Sequence, residues 1–327
     1  KSVPDAHAEP NGNDVVLLGN HDLQVGAATS VALTNSMFDF GEAGIVVGRG
    51  VDVKSLVSLP VRASERVTIE HNNVVSEVGR NHSVTPPPGT LVEQTDEKGS
   101  GIVVYGDARA TTIGGTIPTK GNIVSENLAH GIVVEDSLSG GAGPQGTVIE
   151  GNLIGVSLTD KKKDIGNYGA GVYIRASNVT VGGTQPGAGN VIANNNFGVQ
   201  ETSNIDHVSV LSNSIYGNAH FGILAPDVVP APGVIESDLK GGKLTLKVQV
   251  KEKSGSAERI QVFANPSCAT ADENEGKVYL GDMSFTAKET SAVDETVVVP
   301  DSNSGTGITV TLTQDSMTSE FSACNHL

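Results

Sequence analysis

The sequence predicts an all-β chain whose first two thirds wind into a parallel β-helix. Three observations carry this: a short Gly-led motif that recurs, an asparagine at a near-constant distance before it, and a wealth of glycine. The 327 residues include 40 glycines, against 7 Phe, 5 Tyr and no Trp. Such a composition suits tight turns and small stacked cores better than a helical or α/β enzyme.

The Gly-led segments are Gly44-Ile45-Val46-Val47, Gly101-Ile102-Val103-Val104, Gly131-Ile132-Val133-Val134, Gly171-Val172-Tyr173-Ile174, Gly198-Val199 and Gly222-Ile223-Leu224. Each follows an asparagine: Asn35, Asn73, Asn122, Asn152, Asn190 and Asn213, at distances of 9, 28, 9, 19, 8 and 9 residues. Four of these distances agree within one residue, and the two outliers are the same unit with insertions. Further short apolar runs precede the later asparagines, as in Val67-Thr68-Ile69, Val148-Ile149 and Val208-Ser209-Val210. Self-similarity of this kind, with three short strands per repeat, is the signature of a solenoid. Alternate residues face inward and stack on their equivalents about 4.8 Å along the axis. Ile45, Ile102, Ile132, Val172, Val199 and Ile223 form one expected inward column. The asparagines are expected at a sharp corner, where a side-chain amide bonds the repeats above and below. A sandwich of hairpins is the rival, but it lacks Asn-Gly turns between alternating strands.

The chain divides as follows. Residues 1–13 are a polar, extended segment, and residues 14–225 are the β-helix. Residues 226–234, which include Pro226, Pro230 and Pro232, are a stiff linker by composition. Residues 235–327 form a second domain with far fewer glycines. There, Leu244-Thr245-Leu246-Lys247-Val248-Gln249-Val250 and Ile308-Thr309-Val310-Thr311-Leu312 alternate with period two, as half-buried strands do. The insertions at residues 74–100 and 155–170 interrupt the same corner and should protrude from one side.

Charge narrows the function. Lys plus Arg is 21 and Asp plus Glu is 37, a net charge of −16. That disfavours a nucleic-acid partner, because displacing counterions from phosphate needs a basic surface. A polybasic membrane anchor is disfavoured equally. No run of 18 apolar residues exists, so no membrane span is expected. The two cysteines, Cys268 and Cys324, fit either one disulfide in an oxidising compartment or two free thiols. Ala6-His7-Ala8 has the look of a cleavage-site remnant, with no apolar segment before it.

Gly151-Asn152-Leu153-Ile154-Gly155, Gly166-Asn167-Tyr168-Gly169-Ala170-Gly171 and Val181-Gly182-Gly183-Thr184-Gln185-Pro186-Gly187-Ala188-Gly189-Asn190 resemble bacterial secreted right-handed parallel β-helix repeat proteins of the pectin-lyase-like superfamily. A second copy of the Gly-Gly-Thr phrase stands at Gly114-Gly115-Thr116-Ile117-Pro118-Thr119-Lys120-Gly121-Asn122. The tail, with Val262-Phe263-Ala264-Asn265-Pro266-Ser267-Cys268 and Thr318-Ser319-Glu320-Phe321-Ser322-Ala323-Cys324, is similar to the β-sandwich that often follows such helices. The resemblance implies a right-handed, single-stranded coil, a C-terminal β-sandwich and a bond between Cys268 and Cys324. Closing that loop of roughly 57 residues would stabilise by about 4 kcal/mol in the chain-entropy picture.

Chemistry is sparse. Tyr105, Glu135 and Arg175 fall at one position on three consecutive repeats, with Asp107 and Asp136 beside the row. An acid, a clamp and a stacking ring is one reading. An outward ion pair worth well under about 1 kcal/mol is the plainer one, since no second carboxylate stands at hydrolase spacing. His71, His82, His130, His207 and His220 show no zinc-ligand spacing. Asp301-Ser302-Asn303-Ser304-Gly305 lacks the closing glutamate of a calcium loop and reads as a turn. No catalytic residue, metal or other cofactor is expected.

The outward second position of the Gly-led strands is Val46, Val103, Val133, Tyr173, Gln200 and Leu224. Five of these six are apolar or aromatic, and such a stripe tends to be covered. The expected covers are a neighbouring subunit, the N-terminal segment or the C-terminal domain. The sequence therefore predicts a non-catalytic, secreted or surface structural protein (adhesin, sheath or filament subunit). It would associate with itself or bind a polysaccharide or cell-surface ligand. A polysaccharide lyase or hydrolase, or a glycan-binding module, is the alternative.

Overall fold

The computed structural model describes residues 15–18, 24–25, 35–37, 43–48, 67–70, 72–75, 99–106, 108–136, 143–156, 165–226, 228–251, 253, 255–268, 274–288, 292–300 and 307–327. The expected N-terminal segment 1–13, Asp107, His71, His82, the Asp301–Gly305 turn, the greater part of the first insertion and half of the second lie outside these residues.

Every element among the described residues is a β-strand. The first part of the chain builds three parallel sheets. One has seven strands, from Val15–Leu18 and Ala43–Gly48 to Phe197–Glu201 and Ile223–Leu224. The other two have six strands each. One runs from Gln24–Val25 to Val208–Leu211, the other from Asn35–Met37 to Ser214–Tyr216. Each strand pairs with the strand three places later in the chain, so the backbone visits the three sheets in turn and then starts again.

The register is regular because alternation forces it. Ile45, Ile102, Ile132, Val172, Val199 and Ile223 are in register across the seven-strand sheet, and all are buried. Ile69, Ile113, Ile149, Val181 and Val210 stack likewise in one six-strand sheet. A one-residue slip in any strand would turn an aliphatic column out of the core.

Turns into the third sheet are held by a ladder of buried asparagines. Asn72, Asn122, Asn152 and Asn190 each donate a backbone N–H and a side-chain N–H to the Oδ1 of the next rung, ending at Asn213, at 2.8–3.0 Å. Each amide nitrogen from Asn122 onward also donates to a carbonyl at or one residue before a strand end, namely Ile69, Ile113, Ile149 and Val181. Among the expected corner residues, Asn73 is therefore corrected to Asn72. Asn73 pairs with Ile123 inside the strand ladder, one residue past the corner. Adjacent asparagines are easily confused in sequence, and the side chain of Asn73 lies outside the description. Asn35 aligns with Asn72 through the backbone, and its side chain lies outside the description.

A second ladder, not read from the sequence, follows five residues after the first in most repeats. Asn127, Asn167 and Asn195 donate in the same double manner to Asn167, Asn195 and Asn218. Its last acceptor is not an asparagine. Glu275, from the C-terminal part, takes the N–H of Gly217 and both the N–H and Nδ2 of Asn218 at 2.6–3.1 Å.

The C-terminal part forms two antiparallel sheets. The three-strand sheet comprises Gly233–Lys240, Lys243–Lys251 and Ala292–Pro300. Its first strand begins inside the segment expected to be linker. The five-strand sheet is built on Ala257–Asn265 and Gly307–Gln314. Leu244, Leu246, Val248, Val297 and Val299 of the first share one apolar cluster with Ile260, Val262, Ile308, Val310 and Leu312 of the second. This part also closes the end of the parallel stack. Val210 N–H donates to Thr318 Oγ1, Ser212 N–H to Gln261 Oε1, and Ile215 and Gly276 exchange backbone bonds. Phe263 and Phe321 belong to the apolar cluster of the stack rather than to the one the two antiparallel sheets share.

Cys268 and Cys324 are bonded. Both lie in the C-terminal part, and their sulfurs pack over Gly307. Reduction is therefore expected to loosen the antiparallel sheets while amides of the parallel stack keep their protection in hydrogen exchange. Two titratable thiols in the native protein, or equal loss of protection in both parts, would refute this.

Candidate functional site

The outer face of the seven-strand sheet gathers the chemistry. Within Ser100–Tyr105, Ile102 and Val104 point into the core, which turns Val103 and Tyr105 outward. The register stacks Tyr105, Glu135 and Arg175 in one row, and Val103, Val133, Tyr173, Gln200 and Leu224 in the row beside it. Val46 pairs with Val103 through the backbone, and its side chain lies outside the description.

Glu135 is 2% exposed, with Arg175 Nη1 3.8 Å from its carboxylate. The imidazole of His130 stacks on Tyr173 with ring centres 4.4 Å apart and planes 12° from parallel. His130 Nδ1 accepts the Ala170 N–H at 2.9 Å. Burial pushes this histidine down to about 4, which matches a nitrogen that must stay unprotonated to accept. Its folded value lies below the unfolded one, so its contribution is present above the ordinary histidine range and is lost as pH falls towards 4. His130 was read in sequence only as one of several scattered histidines. What marks it is its place immediately before Gly131, where the same position on neighbouring repeats holds Ser100, Ala170, Phe197 and Phe221.

The outward stripe requires a correction. Val103 is 3% and Val133 0% exposed, forming a separate apolar cluster with Tyr105 and Tyr173 partly covering it. They face away from the interior as alternation demands, yet the chain itself removes them from solvent. Neither is open to a neighbouring subunit. Tyr173, Gln200 and Leu224 keep partial exposure. A lysine at Val103 or Val133 would therefore test folding, not assembly.

A second charged group lies beside the strand ends, where Lys120 Nζ stands 3.0 Å from buried Glu70, the residue after Thr68–Ile69. Burial raises the carboxyl of Glu150, and Lys120 opposes that rise. Among the described residues, no three of His, Cys, Asp or Glu converge as a metal site, and no helix is long and apolar enough to cross a membrane. No known family profile matches the chain, and no curated protein is similar to it.

Proposed function

We propose that the chain is a non-catalytic structural protein of an extracellular or cell-surface setting, such as an adhesin, sheath or filament subunit. In this reading the three parallel sheets are a right-handed, single-stranded β-helix of the pectin-lyase-like kind over residues 14–225. A linker at 226–234 leads to a disulfide-bonded β-sandwich over residues 235–327. The observation that carries the reading is the handover of the asparagine ladder to Glu275. It makes the hydrogen-bonded column continue from one part of the molecule into the other. Such a joint suits a rod that transmits load better than a module hung on a loose tether. The disulfide fits an oxidising compartment. Partners on this reading are further copies of the chain or a polysaccharide or cell-surface ligand.

Negative-stain imaging with sedimentation tests the proposal, and rods that associate at high concentration are the expected result. A monodisperse, compact monomer at every concentration would refute self-association.

One observation favours the carbohydrate-active alternative, namely the single row of Tyr105, Glu135 and Arg175. The ion pair is long and Glu135 is buried, so the row is expected to be decoration. Wild type, Glu135→Gln and Arg175→Ala should alike release neither reducing ends nor unsaturated products from a panel of polysaccharides. Turnover by wild type that either substitution abolishes would replace the structural reading.

A further inference from the structure

The third residue after each glycine in the seven-strand sheet faces the interior. Val104, Val134 and Ile174 hold that position, and all are fully buried. On the next repeat the residue in register with Ile174 is Glu201. It is 6% exposed, and neither carboxylate oxygen has a hydrogen-bond partner among the described residues. A carboxylate buried without partners is costly as an anion. Glu201 stands at the end of the parallel stack, where the C-terminal part closes it. The next strand ends at Leu224, in register with Gln200, and the following residue, Ala225, donates its N–H to Glu320 Oε1 at 3.3 Å.

We propose that Glu201 and Glu320 form a pH-sensitive joint between the parallel stack and its C-terminal cap, closed while Glu201 is protonated and loosened when it ionises. Burial pushes Glu201 up to about 8, and the neighbouring charge of Glu320 adds to the rise. Among the described residues no cation counters the rise. Ala170–Arg175 presents Ile174 to it in register, and Arg175 lies in the outer row with Glu135. Ile223–Leu224 has no titratable group. Glu320 is the charged group of the Met317–Phe321 segment.

The sign of the pH dependence follows from linkage. The unfolded carboxyl ionises near its ordinary 4.5, and the folded one only near 8. Between those values the folded state holds the extra proton, so stability is complete below the lower value, falls as pH rises and levels off above the upper one. One proton corresponds to up to a tenfold rise in the unfolding constant per pH unit within that window.

The test compares unfolding constants of wild type, Glu201→Gln, Glu201→Leu and Glu320→Gln from pH 5 to 9. Hydrogen exchange at Val210, Ser212 and Ala225, corrected for intrinsic rates, reports the joint itself. Wild type should lose stability and protection at these amides up to about pH 8, and both Glu201 variants should lack this one-proton component. Leucine restores the aliphatic column, so it remains informative if the glutamine variant folds poorly. Glu320→Gln should shift the wild-type curve to higher stability above pH 6 by removing the neighbouring charge that disfavours ionised Glu201. Parallel curves for wild type and the Glu201 variants, or a pH response absent from the three amides, would overturn the proposal. So would a Glu320→Gln curve that coincides with wild type.

Discussion

Asn190→Ala is expected to destabilise the chain by about 3–6 kcal/mol. Asn190 is buried mid-ladder. Its Oδ1 accepts the N–H and Nδ2 of Asn152, and its Nδ2 reaches the Ile149 carbonyl at 2.7 Å and Asn213 Oδ1 at 2.8 Å. Alanine leaves the Asn152 N–H and the Ile149 carbonyl buried without their partners, at about 1–3 kcal/mol each, and opens a small cavity between them. Typical domains have about 5–15 kcal/mol in total, so much of the margin would go. Denaturant titration with the midpoint compared at constant slope measures the effect. A loss under about 1 kcal/mol would mean that the ladder is ornament rather than support.

Phe321→Ala should cost about 3–5 kcal/mol, the usual range for removing a buried phenyl ring, but its signature is a place rather than a size. Phe321 is 3% exposed and meets Phe263 edge to face with ring centres 5.3 Å apart. The ring fills the space where a Cβ at Gly222 or Gly276 would sit, 3.1 Å and 2.5 Å from its carbons. Two glycines from the two parts of the chain thus make room for one ring that plugs the end of the aliphatic interior. Amides facing the cap, at Val208, Val210, Ser212 and Ile215, should lose protection first, with those of Ser100–Tyr105 unchanged. Uniform loss across the parallel sheets would show that the ring supports the whole stack rather than its end.

The repeating interior was legible because it repeats. A column such as Ile102, Ile132, Val172 and Val199 leaves a periodic trace in sequence, and so does the corner asparagine. The second ladder leaves one too, since Asn127, Asn195 and Asn218 each follow a first-ladder asparagine by five residues. It was missed because the insertion after Asn152 stretches that interval to Asn167. Glu201 was also readable, as the one acidic residue at a position otherwise held by Val47, Val104, Val134 and Ile174. Glu275 was not. It joins Asn218 across 57 residues, and no local spacing encodes a partner supplied by a different kind of sheet. The covered state of Val103 and Val133 was equally hidden, because alternation tells which way a side chain points but not what lies over it.

The handover to Glu275 has a consequence for how the chain is made. A chain that emerges N-terminus first lays down its parallel strands in order, each new circuit templated on the last. At every moment the newest strands are a raw edge, with N–H groups such as those of Ile215, Gly217 and Asn218 seeking acceptors. Nothing in the repeat itself says when to stop, since another asparagine would serve as well as a glutamate. The stop arrives only with residues 274–276 and 317–321, synthesised after the last repeat and folded back upon it. Residues 274–276 and 317–321 thus occupy the edge that a further repeat, or a strand of another chain, would otherwise pair with.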